Sequence, residues 1–354
     1  MSNTPTQGPP RNTSGWGIVI VLGVIVCAAL FAWHRFAGDD DQVGGRGAGP
    51  ASGDAAAEAF ADELAVIQNT VAEALEKDEP DLIHDKARRF VDRFPKKPAA
   101  RNVFAQVLLA EQQFERAYEQ LKVSLELDPR QPNVHLLAGT IAYQCEDLDQ
   151  AERHYKDATS LDRRNVDNHL HLAKLYMKQG KMDRARITLV AALNVDSSSH
   201  EAHAMLADLY ARQNKLTLAI TQISKAIEMT PTDERPRMIV YVRTLSKMLR
   251  RDNQFDQALQ VLDGIEGDYR HDPGVVEGIA VCYMMLSRPA DAVGAYEEAV
   301  AANPVGWELV AGAARWQHKT GNAARARHHL ATLKRLKPDA GAISELESAL
   351  AGGD

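Results

Sequence analysis

Histidine is the residue type whose spacing in this 354-residue chain most suggests chemistry. His135, His169 and His203 recur at intervals of 34 residues. A metal site needs several imidazoles within about 2 Å of one ion. Equivalent positions on successive helical repeats lie about 10 Å apart, so such a ladder does not chelate. The interval therefore predicts that these histidines pack between helices, and the sequence implies neither a metal site nor a cofactor.

The sequence also lacks the short motifs of common catalytic sites. It contains no Gly-rich phosphate loop, HExxH, CxxC, GxSxG or CxxCH. We therefore expect that the protein is not an enzyme and has no small-molecule substrate. A net charge of -7 over 354 residues is mild and gives no reason to expect nucleic-acid binding.

Small residues follow the same interval as the histidines. Two side chains must be small where a pair of helices makes close contact, and helix breakers such as Pro129 end each unit. Each 34-residue unit therefore reads as two antiparallel helices, and the strict period predicts a solenoid. The alanines of the second helices are Ala117, Ala151, Ala185 and Ala219, and their counterparts in the first helices are Ala105, Gly139, Ala173 and Ala207.

These units resemble the tetratricopeptide repeat, a 34-residue helical hairpin with small residues at its eighth and twentieth positions and often proline near its thirty-second. Two later units carry the same pair of small residues, Ala280 with Ala292 and Ala314 with Ala326. The resemblance implies an all-α fold, a right-handed superhelical solenoid of about 7-8 hairpins.

The repeats are predicted to occupy residues 98–350. An atypical helical pair at 57–97 precedes them as a cap, because its spacing departs from the pattern. Between Ala219 and Ala258 the interval is 39 residues, five more than the repeat. This surplus predicts a lengthened unit near 234–270, in its first helix or in a loop.

The resemblance also implies a binding surface, because the first helices of tetratricopeptide repeats line a concave groove that takes a protein or peptide partner. Lys174 and Lys178 are four residues apart and share a helix face that could receive a carboxylate, although a solvated helix surface is the alternative reading. The candidate groove residues are Asn133, Thr140, Tyr143, Asp167, Lys174, Met177, Lys178, Asp208 and Arg212.

The N-terminal region carries a different signal. Residues 15–33 hold no charged side chain, and Trp16 and Trp33 stand near the two ends. As a helix they would cover about 28 Å, close to the hydrocarbon thickness of a bilayer. We predict a tail over 1–14 and a single transmembrane helix over 15–35 that contacts the lipid bilayer. A cleaved signal peptide, a lipoprotein signal at Cys27 and a buried solenoid helix fit the sequence less well.

Residues 36–56 are rich in Gly, Ala and Asp and are predicted to form a flexible linker. The positive charges that flank the span are nearly balanced and lean towards cytoplasmic repeats. A short tail, one anchor and a large C-terminal domain instead favour an extracytoplasmic, periplasmic position. We expect the second arrangement and leave the cytoplasmic one open.

Together these features predict a membrane-tethered scaffold that binds a partner protein or peptide in its groove and assembles a complex at the membrane. The alternative is an accessory subunit of an export, envelope-biogenesis or translocation machine that also packs through its membrane helix. A metal-binding or enzymatic role ranks third.

Overall fold

The computed structural model of the protein describes residues 52–76 and 81–351. The predicted tail, the predicted membrane helix at 15–35 and most of the predicted linker lie outside this part of the chain. Within it, every regular element is a helix, with 17 α-helices and one 3-10 helix. None of these described helices is long and apolar enough to cross a membrane.

Fourteen of the α-helices form seven hairpins. The first helices have 13 residues, apart from α11 with 17. They are α3 (Pro98–Ala110), α5 (Pro132–Gln144), α7 (Val166–Lys178), α9 (His200–Arg212), α11 (Arg235–Arg251), α13 (Pro273–Met285) and α15 (Trp307–Lys319).

The second helices of the hairpins have 14 residues, apart from α12 with nine. They are α4 (Phe114–Leu127), α6 (Leu148–Leu161), α8 (Met182–Val195), α10 (Leu216–Met229), α12 (Phe255–Asp263), α14 (Pro289–Ala302) and α16 (Ala323–Leu336). The 3-10 helix, Gly267–His271, follows α12.

Three further helices flank the hairpins: α1 (Ser52–Glu76), α2 (Asp81–Arg93) and α17 (Ala342–Ala351). Stacked phenylalanine rings join α1 to α2, with the Phe60 and Phe90 centroids 5.6 Å apart. The predicted linker ended at residue 56, whereas α1 begins at Ser52. The alanines at 55–57 account for this earlier start, because alanine is the strongest helix former.

The chain divides within α7 into two compact units, Met1–Leu175 and Tyr176–Asp354. In the first unit, successive helices from α1 to α6 pack against one another. In the second unit the same holds from α8 through α17, and the alternate helices α11, α13 and α15 also touch in sequence. The first helices α11, α13 and α15 therefore lie side by side.

The small residues predicted on the second helices are fully buried. Each hairpin alanine has 0% of its surface exposed, which confirms the period drawn from the sequence. A Cβ atom added at Gly139 would lie 2.7 Å from the ring of Tyr155, so that position has no room for a larger residue. The alanines are Ala117, Ala151, Ala185, Ala219, Ala258, Ala292 and Ala326.

All seven hairpin turns have the same backbone conformation. The residue five positions before each alanine has a positive φ between 57° and 84°, and only two of the seven are glycine. The following N–H returns to a carbonyl five residues back, as Lys181 does to Tyr176 at 2.8 Å. The turn residues are Gln112, Glu146, Gly180, Asn214, Asn253, Ser287 and Gly321.

The five extra residues of the lengthened unit lie in two places, the first helix α11 and the connection before it. Helix α11 is four residues longer than the other first helices of the hairpins. The connection before it spans 230–234, one residue more than the connection at 196–199. The surplus therefore lies ahead of the turn at Asn253 and leaves the turn itself unchanged.

Replacing a hairpin alanine tests this packing. Ala219→Phe adds a ring where no surface is exposed, between α10 and α9, and we expect it to destabilise the fold by about 1–3 kcal/mol through overpacking. Leu218→Phe is the matched control, because the neighbouring Leu218 is 46% exposed. Thermal unfolding followed by circular dichroism measures both variants, and equal melting temperatures would contradict the assigned register.

Candidate partner-binding face

Two of the candidate groove residues in the first unit are brought together by neighbouring first helices. The Nζ atom of Lys174 on α7 lies 5.8 Å from the ring centroid of Tyr143 on α5, within the range of a cation–π contact. Lys174 is exposed, and Tyr143 is partly exposed. An aromatic ring and an ammonium group thus share one accessible patch.

Thr140 lies one helical turn before Tyr143, but its hydroxyl group is occupied. It donates to the carbonyl oxygen of Leu136 at 2.9 Å and accepts from the hydroxyl of Tyr155 at 3.3 Å. The hydroxyl of Thr140 therefore links α5 to Tyr155 of α6 and has little hydrogen-bonding capacity left for a partner.

Asn133 and Asp167 lie at the N-terminal ends of α5 and α7. They precede Tyr143 and Lys174 by ten and seven residues, which at about 1.5 Å per residue separates them by roughly 15 and 10 Å along each helix. Both reach the surface, Asp167 more than Asn133. They extend the candidate face without joining the patch of Lys174 and Tyr143.

The candidate residues of the second unit behave differently from one another. Lys178 is exposed, whereas Met177 is only 9% exposed and packs within the fold, as expected for a flexible apolar side chain beside a core. On α9, the Nε atom of Arg212 lies 2.9 Å from Oδ2 of Asp208. The two half-exposed side chains neutralise each other's charge, so a partner would have to displace one of them to bind the other.

The repeating histidines are structural, as the sequence indicated. Each is buried, at 6% to 8% exposure, and its Nε2–H donates to the carbonyl oxygen six residues earlier. A carbonyl can only accept, so the bond fixes the proton on Nε2. The bonds run from His135 to Pro129 at 3.1 Å, from His169 to Arg163 at 3.1 Å and from His203 to Ser197 at 3.3 Å.

His135 has a second imidazole beside it. Its Nδ1 lies 3.2 Å from Nδ1 of His154, whose Nε2 lies 3.0 Å from the hydroxyl of Tyr118. Because Nε2 of His135 is the donor, its Nδ1 accepts from His154, which in turn accepts from Tyr118. Burial, and then His135, lower the pKa of His154 and favour this neutral chain.

A metal site does not emerge from these contacts. Across residues 52–76 and 81–351, no three His, Cys, Asp or Glu side chains are grouped so that they could hold an ion. The hydrogen bonds of His135 and His154 use the imidazole nitrogens that a metal would need.

His171 lies between Lys174 and the buried Tyr155. Its ring centroid lies 5.5 Å from that of Tyr155. Burial, and then the positive charge of Lys174, lower the pKa of His171 to about 4. His171 is therefore neutral at physiological pH and adds no positive charge to the patch of Lys174.

The seven hairpins with buried alanine contacts define a helical-repeat protein, the class whose members bind partners on long exposed surfaces. Family sequence models described as tetratricopeptide repeat match residues 142–209, 200–233, 245–306 and 284–341, more than half of the chain. The chain is a tetratricopeptide repeat protein. A further family model, that of subunit 3 of the anaphase-promoting complex (cyclosome), matches residues 86–158.

Solved structures share this fold at low sequence identity. Yeast Tom70 is 16% identical with a TM-score of 0.51, and the match covers 92% of this chain and 69% of that one. A tetratricopeptide repeat protein from Parabacteroides merdae is 19% identical with a TM-score of 0.47, and the match covers 70% of this chain and 96% of that one.

The APC/C hetero-tetramer Cut9–Hcn1 contains a chain that is 15% identical, with a TM-score of 0.44. The match covers 82% of this chain but only 52% of that one, so this chain spans about half the length of that relative. No curated protein is significantly similar in sequence. These similarities concern the fold alone. The function has to be inferred from the side chains of this chain.

The lowered pKa of His171 predicts a dependence of stability on pH. Unfolding restores an ordinary pKa near 6.5, so between about pH 6.5 and 4 the unfolded chain binds more protons than the folded one and stability falls with acidification. We expect His171 to account for about 2 kcal/mol of lost stability between pH 7 and pH 5.

Replacing the imidazole checks this expectation. In His171→Gln the fall in melting temperature from pH 7 to pH 5 should be smaller than in the unchanged protein, because this group no longer titrates. His318→Gln, which removes the partly exposed imidazole of His318 on α15, is the control. Identical pH profiles for the unchanged protein and His171→Gln would refute the assignment.

Proposed function

We propose that this protein is a membrane-tethered scaffold whose first helices bind an acidic segment of a partner protein and hold it at the membrane. The patch of Lys174 and Tyr143 carries the proposal. Among the described residues no carboxylate pairs with Lys174, so its exposed ammonium is available to a partner's carboxylate. The ring of Tyr143 beside it offers apolar area to the same segment.

Two further observations support a binding role. Tetratricopeptide hairpins expose long surfaces and need no reaction chemistry, which agrees with the lack of catalytic motifs in the sequence. The family model that matches residues 86–158 is that of a subunit of a multiprotein complex. The uncharged run at 15–33 is the basis for the proposed tether.

Capture of the partner by the full-length chain tests the patch. Lys174→Glu reverses the charge that the partner's carboxylate would meet, and we expect it to reduce the captured partner by about tenfold or more. Lys122→Glu makes the same change on the second helix α4, where Lys122 is exposed, and should leave capture unchanged.

The capture should start from native membranes in mild detergent, with partners quantified by mass spectrometry. A partner lost only in Lys174→Glu supports binding at this patch. A partner retained equally in both variants would place the interaction elsewhere on the chain.

The membrane side can be measured on Cys145. We propose that the repeats are extracytoplasmic, and Cys145 is exposed whereas Cys282 is buried. A membrane-impermeant maleimide should therefore label Cys145 in intact cells. Burial, and then Glu115, raise the pKa of this thiol, so labelling should be run near pH 8.

Cys145→Ser is the control for that labelling and should remove the signal. Labelling of Cys145 only after the cells are opened would place the repeats in the cytoplasm and overturn the proposed side.

A further inference from the structure

The shortened helix α12 leaves a cavity in the second unit. All other second helices of the hairpins run for 14 residues, whereas α12 ends after nine, at Asp263. Gly264 follows, and Gly267 takes a φ of 70° at the start of the 3-10 helix. A cavity of about 240 Å³, here named the α12 cavity, lies between the end of α12, the 3-10 helix, α13 and α14.

Apolar and small residues form part of the lining of the α12 cavity. Val276 and Ile279 of α13 line one side, and Ala290, Gly294 and Ala295 of α14 line another. A Cβ atom added at Gly294 would meet no heavy atom within 4 Å. The small side chains of α14 and the missing turns of α12 together create the space.

Carboxylates outnumber cations around the α12 cavity. Asp263, Asp291 and Glu298 line it together with Arg270 and His271. The Nη1 group of Arg270 donates to the main-chain carbonyl of Asp263 at 3.3 Å, which anchors the guanidinium at one edge. An anionic ligand would meet three carboxylates, so the charge balance favours a cationic ligand.

Two of these carboxylates form ion pairs with Arg270 at distances that leave their capacity to accept hydrogen bonds unused. Oδ1 of Asp263 lies 3.7 Å from Nη2 of Arg270, and Oε1 of Glu298 lies 3.9 Å from Nε of Arg270. Both separations exceed the length of a hydrogen bond. Asp291 differs, because Nε of Arg288 donates to it at 2.6 Å.

His271 adds a third acceptor. Its Nε2 is buried without a hydrogen-bond partner among the described residues, 3.9 Å from Oε1 of Glu298. A buried polar atom left without a partner is costly, which points to a ligand or a water at this position. With the imidazole proton on Nδ1, the Nε2 atom accepts.

We propose that the α12 cavity binds the side chain of a lysine from a partner protein. The four methylene groups of lysine fit the apolar walls formed by Val276, Ile279 and Ala295. Its ammonium has three donors, which match Glu298, Asp263 and Nε2 of His271. The volume lies below the 300–1,000 Å³ of cofactor and drug-sized sites, so it suits one side chain.

This inference rests on the proposed function only in requiring a protein partner, and it adds a second contact away from the patch of Lys174 and Tyr143. The test needs no partner, so its failure is distinguishable from a failure of the capture experiment. The probe is N-acetyl-lysine amide, added to the full-length chain in detergent micelles. Methyl NMR signals of Val276 and Ile279 report its binding.

Two analogues separate the contributions of charge and stem. N-acetyl-norleucine amide keeps the apolar stem without the ammonium and should bind at least about tenfold more weakly, because it loses every charge-assisted hydrogen bond of the ammonium. N-acetyl-glutamate amide should not shift the signals. Equal binding of lysine and norleucine analogues, tighter binding of the glutamate analogue, or no shift with lysine would each overturn the proposal.

Variants of the cavity give an independent check. Gly294→Met fills the open space and should abolish the shifts caused by the lysine analogue, whereas Gly294→Ala adds one methyl group and should leave its affinity within about twofold. Glu298→Gln alters a side chain that is 62% exposed, so the fold tolerates it. It should weaken the lysine analogue about threefold and leave the norleucine analogue unchanged. An unchanged lysine affinity in Glu298→Gln and Gly294→Met would refute the site.

Discussion

The burial of a small residue on each first helix and of an alanine on the following second helix is the constraint on which the hairpins depend. Within the first unit Ala105 and Ala117 expose no surface, and within the second Ala207 and Ala219 do the same. Because the interior is close-packed, these fully buried positions have no room for larger side chains. Larger side chains pack around these small residues. The ring of Tyr155, for example, lies directly beside Gly139, which has no side chain.

Because the contacts within hairpins use so few residue types, the outward positions of the first helices are free to vary. In the first unit they place a lysine beside a tyrosine, and in the second they place an arginine beside an aspartate. The first arrangement leaves an ammonium available to a carboxylate, whereas the second neutralises its own charges. Two faces with the same backbone thus differ in the partner chemistry that they offer.

The sequence predicted those features that follow from a period. The hairpin alanines recur every 34 residues apart from the longer interval between Ala219 and Ala258, and His135, His169 and His203 follow the same period. Each residue type has one physical reason to be there. The sequence could not predict the burial of Met177, because periodic position does not determine rotamers. The spacing of Asp208 and Arg212 by four residues on a helix was a readable signal of their ion pair. The α12 cavity also escaped prediction, although Gly264 and Gly267, which follow the end of α12, were a readable signal.

The histidine bonds have a consequence for how the chain tolerates changes in length. His135, His169 and His203 each reach a carbonyl six residues upstream, across the connection that joins one hairpin to the next. One inserted residue in such a connection would carry the acceptor away and leave a buried imidazole N–H without a partner. The connection at 230–234 does hold an extra residue, and the fourth residue of the first helix after it, where α5, α7 and α9 carry the histidine, is Met238. Natural insertions between hairpins should therefore accumulate ahead of helices that lack this histidine and be rare ahead of those that carry it.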